Sequence, residues 1–114
     1  MVNSYAWDTA IVYIQAFSED SDYSYQTSIN TSTNGGLLNT GREEYKDEVC
    51  KINDMASNLR EWTTEYCSYS IDSLACPCGY RGGIYSSDSN YTSYRGDANA
   101  TVANGNISFR TILY

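Results

Sequence analysis

One stretch near the start of the chain has helical periodicity, and it constrains the fold more than any other feature of the sequence. Apolar residues recur there three or four positions apart, at Trp7, Ala10, Ile11, Ile14 and Phe17. Because this spacing places side chains on one side of an α-helix, the pattern predicts an amphipathic helix from Ser4 to Phe17 that packs on a core. Serine is a common N-cap residue, and we expect Ser4 to cap this helix.

The later part of the chain has the pattern of short strands separated by turns. Strands are expected at 61–69, 78–85 and 107–114. Alternation in the first of them puts Trp62, Thr64 and Tyr66 on one face, and Trp62 offers a large apolar area to the core. In the last strand, Arg110 is expected on the face opposite Phe109. One helix followed by short, mainly antiparallel strands predicts an α+β fold.

Two polar segments separate the helix from these strands. Residues 18–41 are rich in Ser, Asp, Thr, Asn and Gly, which predicts a long surface loop. The charged residues 43–46 predict solvated surface. We find no internal repeat and no interdomain linker, so residues 1–114 are expected to form a single domain.

The charge of the chain limits its partners. The net charge is -7 and the pI is near 4.2. Nucleic acid and anionic membranes both require a cationic face, so we expect neither as a partner. There is no apolar run near the roughly 18 residues that span a bilayer, and we expect no membrane insertion. The N-terminus lacks a cationic segment followed by an apolar run, so no signal peptide is expected in this chain.

The residue types exclude several kinds of site. The chain has no histidine, which removes serine-histidine and cysteine-histidine nucleophile arrangements. Its cysteines are Cys50, Cys67, Cys76 and Cys78. Zinc is disfavoured, because one residue separates the only close pair, whereas zinc ligand pairs are usually separated by two to four. Two alternatives stay open, namely buried free thiols and a disulfide from Cys67 to Cys76 or Cys78.

Three short motifs follow one another in the second half of the chain. They are Asp54-Met55-Ala56-Ser57-Asn58-Leu59-Arg60-Glu61-Trp62-Thr63, Arg81-Gly82-Gly83 and Ser108-Phe109-Arg110. The first resembles Asp-Met-Ala-Gly-Asn-Val-Trp-Glu-Trp-Thr of the formylglycine-generating enzyme (sulfatase-modifying factor) family, with Ser57 and Arg60 as departures. The others resemble the Arg-Gly-Gly and Gly-Phe-Arg of that family.

The resemblance implies a fold and an evolutionary setting. The family module is a variant of the C-type lectin fold, and it is similar to the variable proteins of diversity-generating retroelements. Trp7-Asp8 resembles the start of the family helix, so the likeness covers nearly the whole chain. Strands that precede this helix in full-length relatives have no counterpart here. We therefore expect either a truncated module or a sheet completed by another chain.

The resemblance also implies roles for individual residues. Arg81 and Arg110 are expected to satisfy buried carbonyls or carboxylates. The family binds a structural calcium ion through two side chains and two backbone carbonyls, which match Asp54 and Glu61, and the carbonyls of Ser57 and Leu59. The alternative is that Asp54 caps a turn while Glu61 pairs with a buried arginine. No cofactor is required by either interpretation.

Copper-dependent oxidase chemistry is not expected. In the enzymes, two closely spaced cysteines bind copper between the Arg-Gly-Gly and Phe-Arg motifs. This chain has no cysteine between Gly83 and Phe109, and Cys76 and Cys78 precede Arg81. Without soft thiolate ligands there is no evident copper(I) site. We therefore predict no catalytic residues and keep the oxidase only as a remote alternative.

The segment 84–99 is the candidate binding surface. It is dominated by Tyr, Ser, Asn, Asp and Gly, a palette that antibody loops use for contact. In C-type-lectin-fold proteins the corresponding segment faces the ligand, and adenine-directed mutagenesis of asparagine codons produces similar residues. The predicted ligand-binding residues are Tyr85, Asp88, Asn90, Tyr91, Tyr94, Arg95, Asp97 and Asn99.

These observations together predict a non-enzymatic ligand-binding domain. The expected setting is a phage receptor-binding or tail-tip protein, or a bacterial adhesin, on a virion or a bacterial cell surface. The expected partner is a protein or carbohydrate receptor on a host surface. The alternative is a structural domain that assembles as a homo-oligomer or within a larger particle.

Overall fold

A computed structural model describes residues 1–27, 37, 39, 47–66, 78–87, 89–99, 101 and 103–111. It confirms the α+β class, with a helix α1 (Ser4–Phe17) and a short 3-10 helix (Tyr23–Tyr25). The strands are β1 (Glu48–Val49), β2 (Ile52–Asn53), β3 (Arg60–Tyr66), β4 (Cys78–Arg81), β5 (Arg95–Ala98) and β6 (Ile107–Phe109). Within the described ranges, no helix has the length and apolar character needed to cross a membrane.

Some predictions fall on residues outside the described ranges. These include the charged segment 43–46 and two of the cysteines, Cys67 and Cys76. Cys50 is a free cysteine and is partly buried. The backbone of Cys78 lies in β4.

Helix α1 has the predicted boundaries but a different cap. Asn3 is the N-cap, and its Oδ1 accepts a hydrogen bond from the backbone N–H of Ala6 at 2.7 Å. The prediction of Ser4 as the cap was wrong, because the Ser4 hydroxyl donates to the Glu65 carboxylate on β3 instead. An N-cap accepts from backbone groups of the first turn, and a serine that points across to the sheet is not available for that role. The hydroxyl therefore joins the helix to the sheet.

The core lies between α1 and the segment that precedes β3. Trp7, Ile11 and Ile14 are at most 5% exposed. They pack with Val2, Tyr23 and Met55. Phe17 was expected on this face, but it is 74% exposed and pairs with Tyr13 at 4.9 Å between ring centroids. Each residue turns the helix by about 100°, so Phe17 is rotated by about 120° from Ile11 and lies past the edge of the core.

The main sheet has four strands in the order β5-β4-β3-β6. Strand β4 pairs antiparallel with both β3 and β5, while β6 pairs parallel with β3. The predicted alternation in β3 is confirmed for its described residues, since Glu61 and Thr63 are buried whereas Thr64 and Tyr66 are exposed. The last strand is shorter than predicted, and Phe109 is 69% exposed.

Trp62 does not supply the core, contrary to prediction. It is half-buried and lies on the face of the sheet opposite the buried residues Glu61 and Thr63. Trp7 fills the core in its place, with its Nε1–H donating to the Thr92 carbonyl at 3.0 Å. The period-2 alternation of a strand forces this outcome, because neighbours of a buried residue point to the other face.

A buried carboxylate organises the segment that leads into β3. Asp47 is fully buried and accepts hydrogen bonds from the Tyr23 hydroxyl at 2.9 Å, the Ala56 N–H at 3.0 Å and the Ser57 hydroxyl at 2.7 Å. Burial raises the pKa of this carboxyl to about 6, although the three donors act in the opposite direction. Between Asp47 and Ala56, Cys50 and Lys51 have positive φ values of 52° and 65°, as a type I′ hairpin turn between β1 and β2 requires.

The glycine pair after β4 permits the predicted close approach of two backbones. Gly82 has a φ of 93°, which L side chains rarely adopt. The N–H of Gly83 donates to the Met55 carbonyl at 3.1 Å, and a Cβ on Gly83 would collide with the Ala56 carbonyl. The motif therefore fixes the end of β4 against the segment preceding β3.

Candidate functional site

The two faces of the four-stranded sheet have different surroundings. On one face Glu65, Arg81 and Glu61 are engaged by Ser4 and Asp8 of α1, and by Arg110. Register partners share a face, so Trp62 lies beside Tyr80 on β4 and beside Phe109 on β6. Among the described residues, no helix packs on this second face, which we call the open face.

A cluster of three aromatic rings and one guanidinium occupies the open face. Tyr80 lies at its centre, edge-to-face with Trp62 at 6.2 Å and stacked with Tyr94 at 6.2 Å. The guanidinium carbon of Arg60 lies 5.1 Å from the Tyr80 ring centroid and 5.7 Å from that of Tyr94. Both distances are in the range of a cation–π interaction. We call Arg60, Trp62, Tyr80 and Tyr94 the aromatic–arginine cluster.

A glycine determines where the central ring lies. Gly96 on β5 is the register partner of Tyr80. A Cβ at this position would lie 2.5 Å from both Cζ and Oη of Tyr80. The missing side chain therefore lets the Tyr80 ring lie flat over β5, where Tyr80 is only 9% exposed. Burial raises the pKa of the Tyr80 hydroxyl, although the charge of Arg60 opposes the shift.

A hydrogen-bond chain connects Arg60 to the predicted binding segment. Its Nη2 donates to Oδ1 of Asn90 at 2.9 Å, and Asn90 is itself 7% exposed. The Asn90 amide donates in turn to the hydroxyls of Ser87 at 3.1 Å and Ser89 at 3.3 Å. The Nε of Arg60 is buried and has no hydrogen-bond partner. The guanidinium is thus held by rings and one amide.

The structure brings together only part of the predicted binding set. Asn90 and Tyr94 join the aromatic–arginine cluster, directly or through Arg60. Tyr91 is 42% exposed and packs edge-on against Tyr25 at 5.8 Å. Tyr85 is half-buried, with its N–H donating to the Asn58 carbonyl at 2.9 Å. Asp88 lies outside the described residues.

The other predicted residues are not members of the cluster, although the Asp97 charge contributes to the raised pKa of Tyr80. Arg95 and Asp97 belong to strand β5, not to a loop as expected. Arg95 pairs with Glu65, which lies on the α1 side of the sheet. The Asn99 side chain accepts hydrogen bonds from Thr101, at 2.9 Å from its N–H and 2.7 Å from its hydroxyl. The predicted set is therefore divided between two faces.

Sequence reasoning missed Arg60, Trp62 and Tyr80 as members of the cluster. Two signals were present. Arg60 departs from the family motif, and alternation puts it on the same face as Trp62. Tyr80 gave no local signal, because its place in the cluster depends on pairing with Trp62 and on the absence of a side chain at Gly96.

The residues proposed to hold calcium surround a different cleft. Asp54, Leu59 and Glu61 line a cleft of about 360 Å³ together with Arg110. Arg110 donates from Nε and Nη2 to the two oxygens of Glu61, at 2.8 and 2.7 Å. The predicted ligand at Ser57 is its backbone carbonyl, and its hydroxyl donates to Asp47. A guanidinium thus neutralises Glu61, which matches the alternative in which Glu61 pairs with an arginine, and the calcium site stays a prediction.

Arg110 also ties the end of β6 to the rest of the fold. Its Nη2 donates to the Asn53 carbonyl at 2.6 Å, and its guanidinium carbon lies 5.9 Å from the Trp7 ring centroid. Arg81 pairs with Asp8 of α1. The expected pairing with a buried carboxylate is confirmed for Arg110, whereas the carboxylate that Arg81 contacts is exposed.

Comparisons with protein-family models, curated proteins and solved structures found no match. The family resemblance of the three motifs therefore stays a prediction.

Proposed function

We propose that this chain is a non-enzymatic ligand-binding domain whose recognition surface is the open face of its sheet. The observation that carries the proposal is the aromatic–arginine cluster. Trp and Tyr offer large, rigid contact areas at low entropic cost, and Trp, Tyr and Arg dominate the binding energy of protein interfaces. Rings that support one another in the free protein are also preorganised for contact.

The biological setting is part of the same proposal. We place the chain among C-type-lectin-like variable domains, as a phage receptor-binding or tail-tip protein or a bacterial adhesin. This setting is supported by the three motifs and by the position of Asn90 and Tyr94, which connect the predicted variable segment to the open face. The partner is then a protein or carbohydrate on a host surface.

Binding libraries test the proposed surface. The wild-type chain is probed with a displayed random-peptide library and with a glycan array, and the selected ligands are measured against Trp62→Ala and Tyr94→Ala. We expect each variant to bind about 10-fold or more weakly, the usual effect of truncating a central interface aromatic. The control is Tyr5→Ala, since Tyr5 is 86% exposed on α1 and away from the cluster. Equal binding by all three variants would contradict the proposal.

Natural variation tests the link to a retroelement. We expect substitutions at adenines to concentrate in codons 84–106 relative to codons 50–83. Even and sparse variation across both ranges would remove diversification from the proposal and leave a fixed binding domain.

A second function, assembly within a larger particle, is favoured by the outer side of α1. This side carries exposed apolar residues, namely Tyr5, Val12, Tyr13 and Phe17, which are between 48% and 86% exposed. Such patches mark association surfaces. Light scattering after size-exclusion chromatography distinguishes the two functions: association that Phe17→Ser abolishes supports assembly, whereas a monomer supports recognition by a free domain.

A further inference from the structure

We infer, building on the proposed function, that the ligand of the open face is a protein that places one aspartate or glutamate carboxylate on Arg60. The cluster then serves two purposes. Its rings supply contact area, and its guanidinium selects a partner with an acidic side chain at the centre of the interface.

Arg60 differs from the other basic residues in the part of the chain that the structure describes. Lys51, Arg81, Arg95 and Arg110 each pair with a carboxylate within the chain, from Glu48, Asp8, Glu65 and Glu61 respectively. Arg60 has no carboxylate partner among the described residues, and its one hydrogen bond goes to the neutral Asn90 amide. Acidic groups are abundant in a chain of net charge -7, so the lack of a carboxylate partner for Arg60 among the described residues is unusual.

The guanidinium of Arg60 has a geometry that suits a carboxylate. Nε of Arg60 is buried, so an incoming carboxylate would meet the guanidinium at Nη1 and Nη2, of which Nη2 also donates to Asn90. A carboxylate suits this edge, because its two oxygens accept parallel N–H bonds from a planar fork. The Tyr80 and Tyr94 rings beside Arg60 limit its rotamers, which reduces the entropy that the ion pair costs.

The width of the surface favours a protein over a single sugar residue as the ligand. Tyr66 and Phe109 flank the cluster and are 66% and 69% exposed. Tyr66 is four residues from Trp62 along β3, a separation of about 13 Å in a strand. Exposed rings this far apart around an arginine match the aromatic and arginine enrichment of protein interfaces.

The charge of the whole chain adds a condition on the partner. A net charge of -7 repels polyanions over the range set by ionic strength, whereas Arg60 attracts one carboxylate at short range. We therefore expect an isolated acidic residue with apolar neighbours, not an acidic cluster.

The test uses peptides selected from the random-peptide library on the wild-type chain. We expect the enriched peptides to contain one Asp or Glu flanked by apolar residues. Changing that residue to Asn or Gln, or changing Arg60→Gln in the protein, is expected to weaken binding about 10-fold or more, with little further loss when both are changed. Arg60→Lys is expected to recover only part of the affinity, because lysine lacks the planar fork. Thermal unfolding of each variant verifies that it is folded.

The outcomes separate this inference from the proposed function. If peptides bind and Trp62→Ala weakens them while Arg60→Gln does not, the inference is overturned and the proposed function stands. The same holds if the enriched peptides lack an acidic residue, or if the chain retains glycans and no peptide. If none of Arg60→Gln, Trp62→Ala and Tyr94→Ala affects any selected ligand, both are overturned. Recovery of binding when Arg60→Glu meets a peptide whose acidic residue is changed to lysine supports the inference directly.

Discussion

Replacing Gly96 with alanine should damage the aromatic–arginine cluster while leaving the core in place. The new Cβ would lie 2.5 Å from Cζ and Oη of Tyr80, whereas favourable contacts between carbon atoms begin at about 3.5 Å. The Tyr80 ring cannot move freely, because Trp62 and Tyr94 pack against it and Arg60 lies over its face. The substitution therefore either strains the sheet or displaces the ring.

The expected cost follows from two opposing effects. Overpacking a well-packed site costs about 1–3 kcal/mol. Replacing glycine within a strand recovers about 0.5–1 kcal/mol of backbone entropy. We therefore expect Gly96→Ala to lower the free energy of unfolding by up to about 2.5 kcal/mol, measured by urea denaturation, and to weaken ligands selected on the open face.

A control substitution and a double-mutant cycle test whether the effect of Gly96→Ala comes from Tyr80. Gly105→Ala has no neighbour within 4 Å of its new Cβ, so its stability should change by less than about 0.5 kcal/mol. Tyr80→Leu shortens the side chain, and the double variant with Gly96→Ala should lose less stability than the sum of the single variants. If Gly96→Ala matches Gly105→Ala and the cycle is additive, the argument for a ring held over β5 is refuted.

Three further predictions concern the rest of the fold. Gly83→Ala should lower the free energy of unfolding more than Gly96→Ala does, and should prevent stable folding. Its Cβ would collide with the backbone carbonyl of Ala56, which cannot rotate away as a side chain can. Urea denaturation like that of the wild type would contradict this prediction. The free energy of unfolding should fall as the pH is raised from about 4 to about 6. The reason is that the Asp47 carboxyl has a pKa of about 6 in the folded state and 3.8 in the unfolded state, so the folded state binds this proton more tightly. The loss from this group is about 3 kcal/mol, and thermal unfolding of Asp47→Asn should show a flatter pH dependence; identical profiles would contradict the assignment. Millimolar calcium should leave the melting temperature unchanged, because Arg110 already neutralises Glu61. A clear rise in the melting temperature would instead support a calcium site at Glu61.

The candidate site was only partly readable from the sequence. Asn90 and Tyr94 were predicted from the composition of their segment, and they do connect with the cluster. Arg95 and Asp97 have the same composition around them, yet they belong to a strand. Composition indicates a contact surface in general, but it does not specify which side of a sheet a residue faces.

Elements that depend on local periodicity could be predicted from the sequence. The helix from Ser4 to Phe17 and the alternation of β3 follow from spacings of 3.6 and 2 residues, which are properties of the backbone. The positive φ at Gly82 likewise agrees with a residue chosen for conformational freedom. These features require no knowledge of distant neighbours.

Which face of the sheet is covered depends on tertiary contacts. Alternation shows that Trp62 and Glu61 point in opposite directions, but not which of them meets the core. That choice depends on α1, which contacts the Glu61 side through Asp8 and Arg81, and on Trp7, which fills the space that Trp62 was expected to fill. The aromatic–arginine cluster results from this choice, because it forms on the face that the helix leaves open.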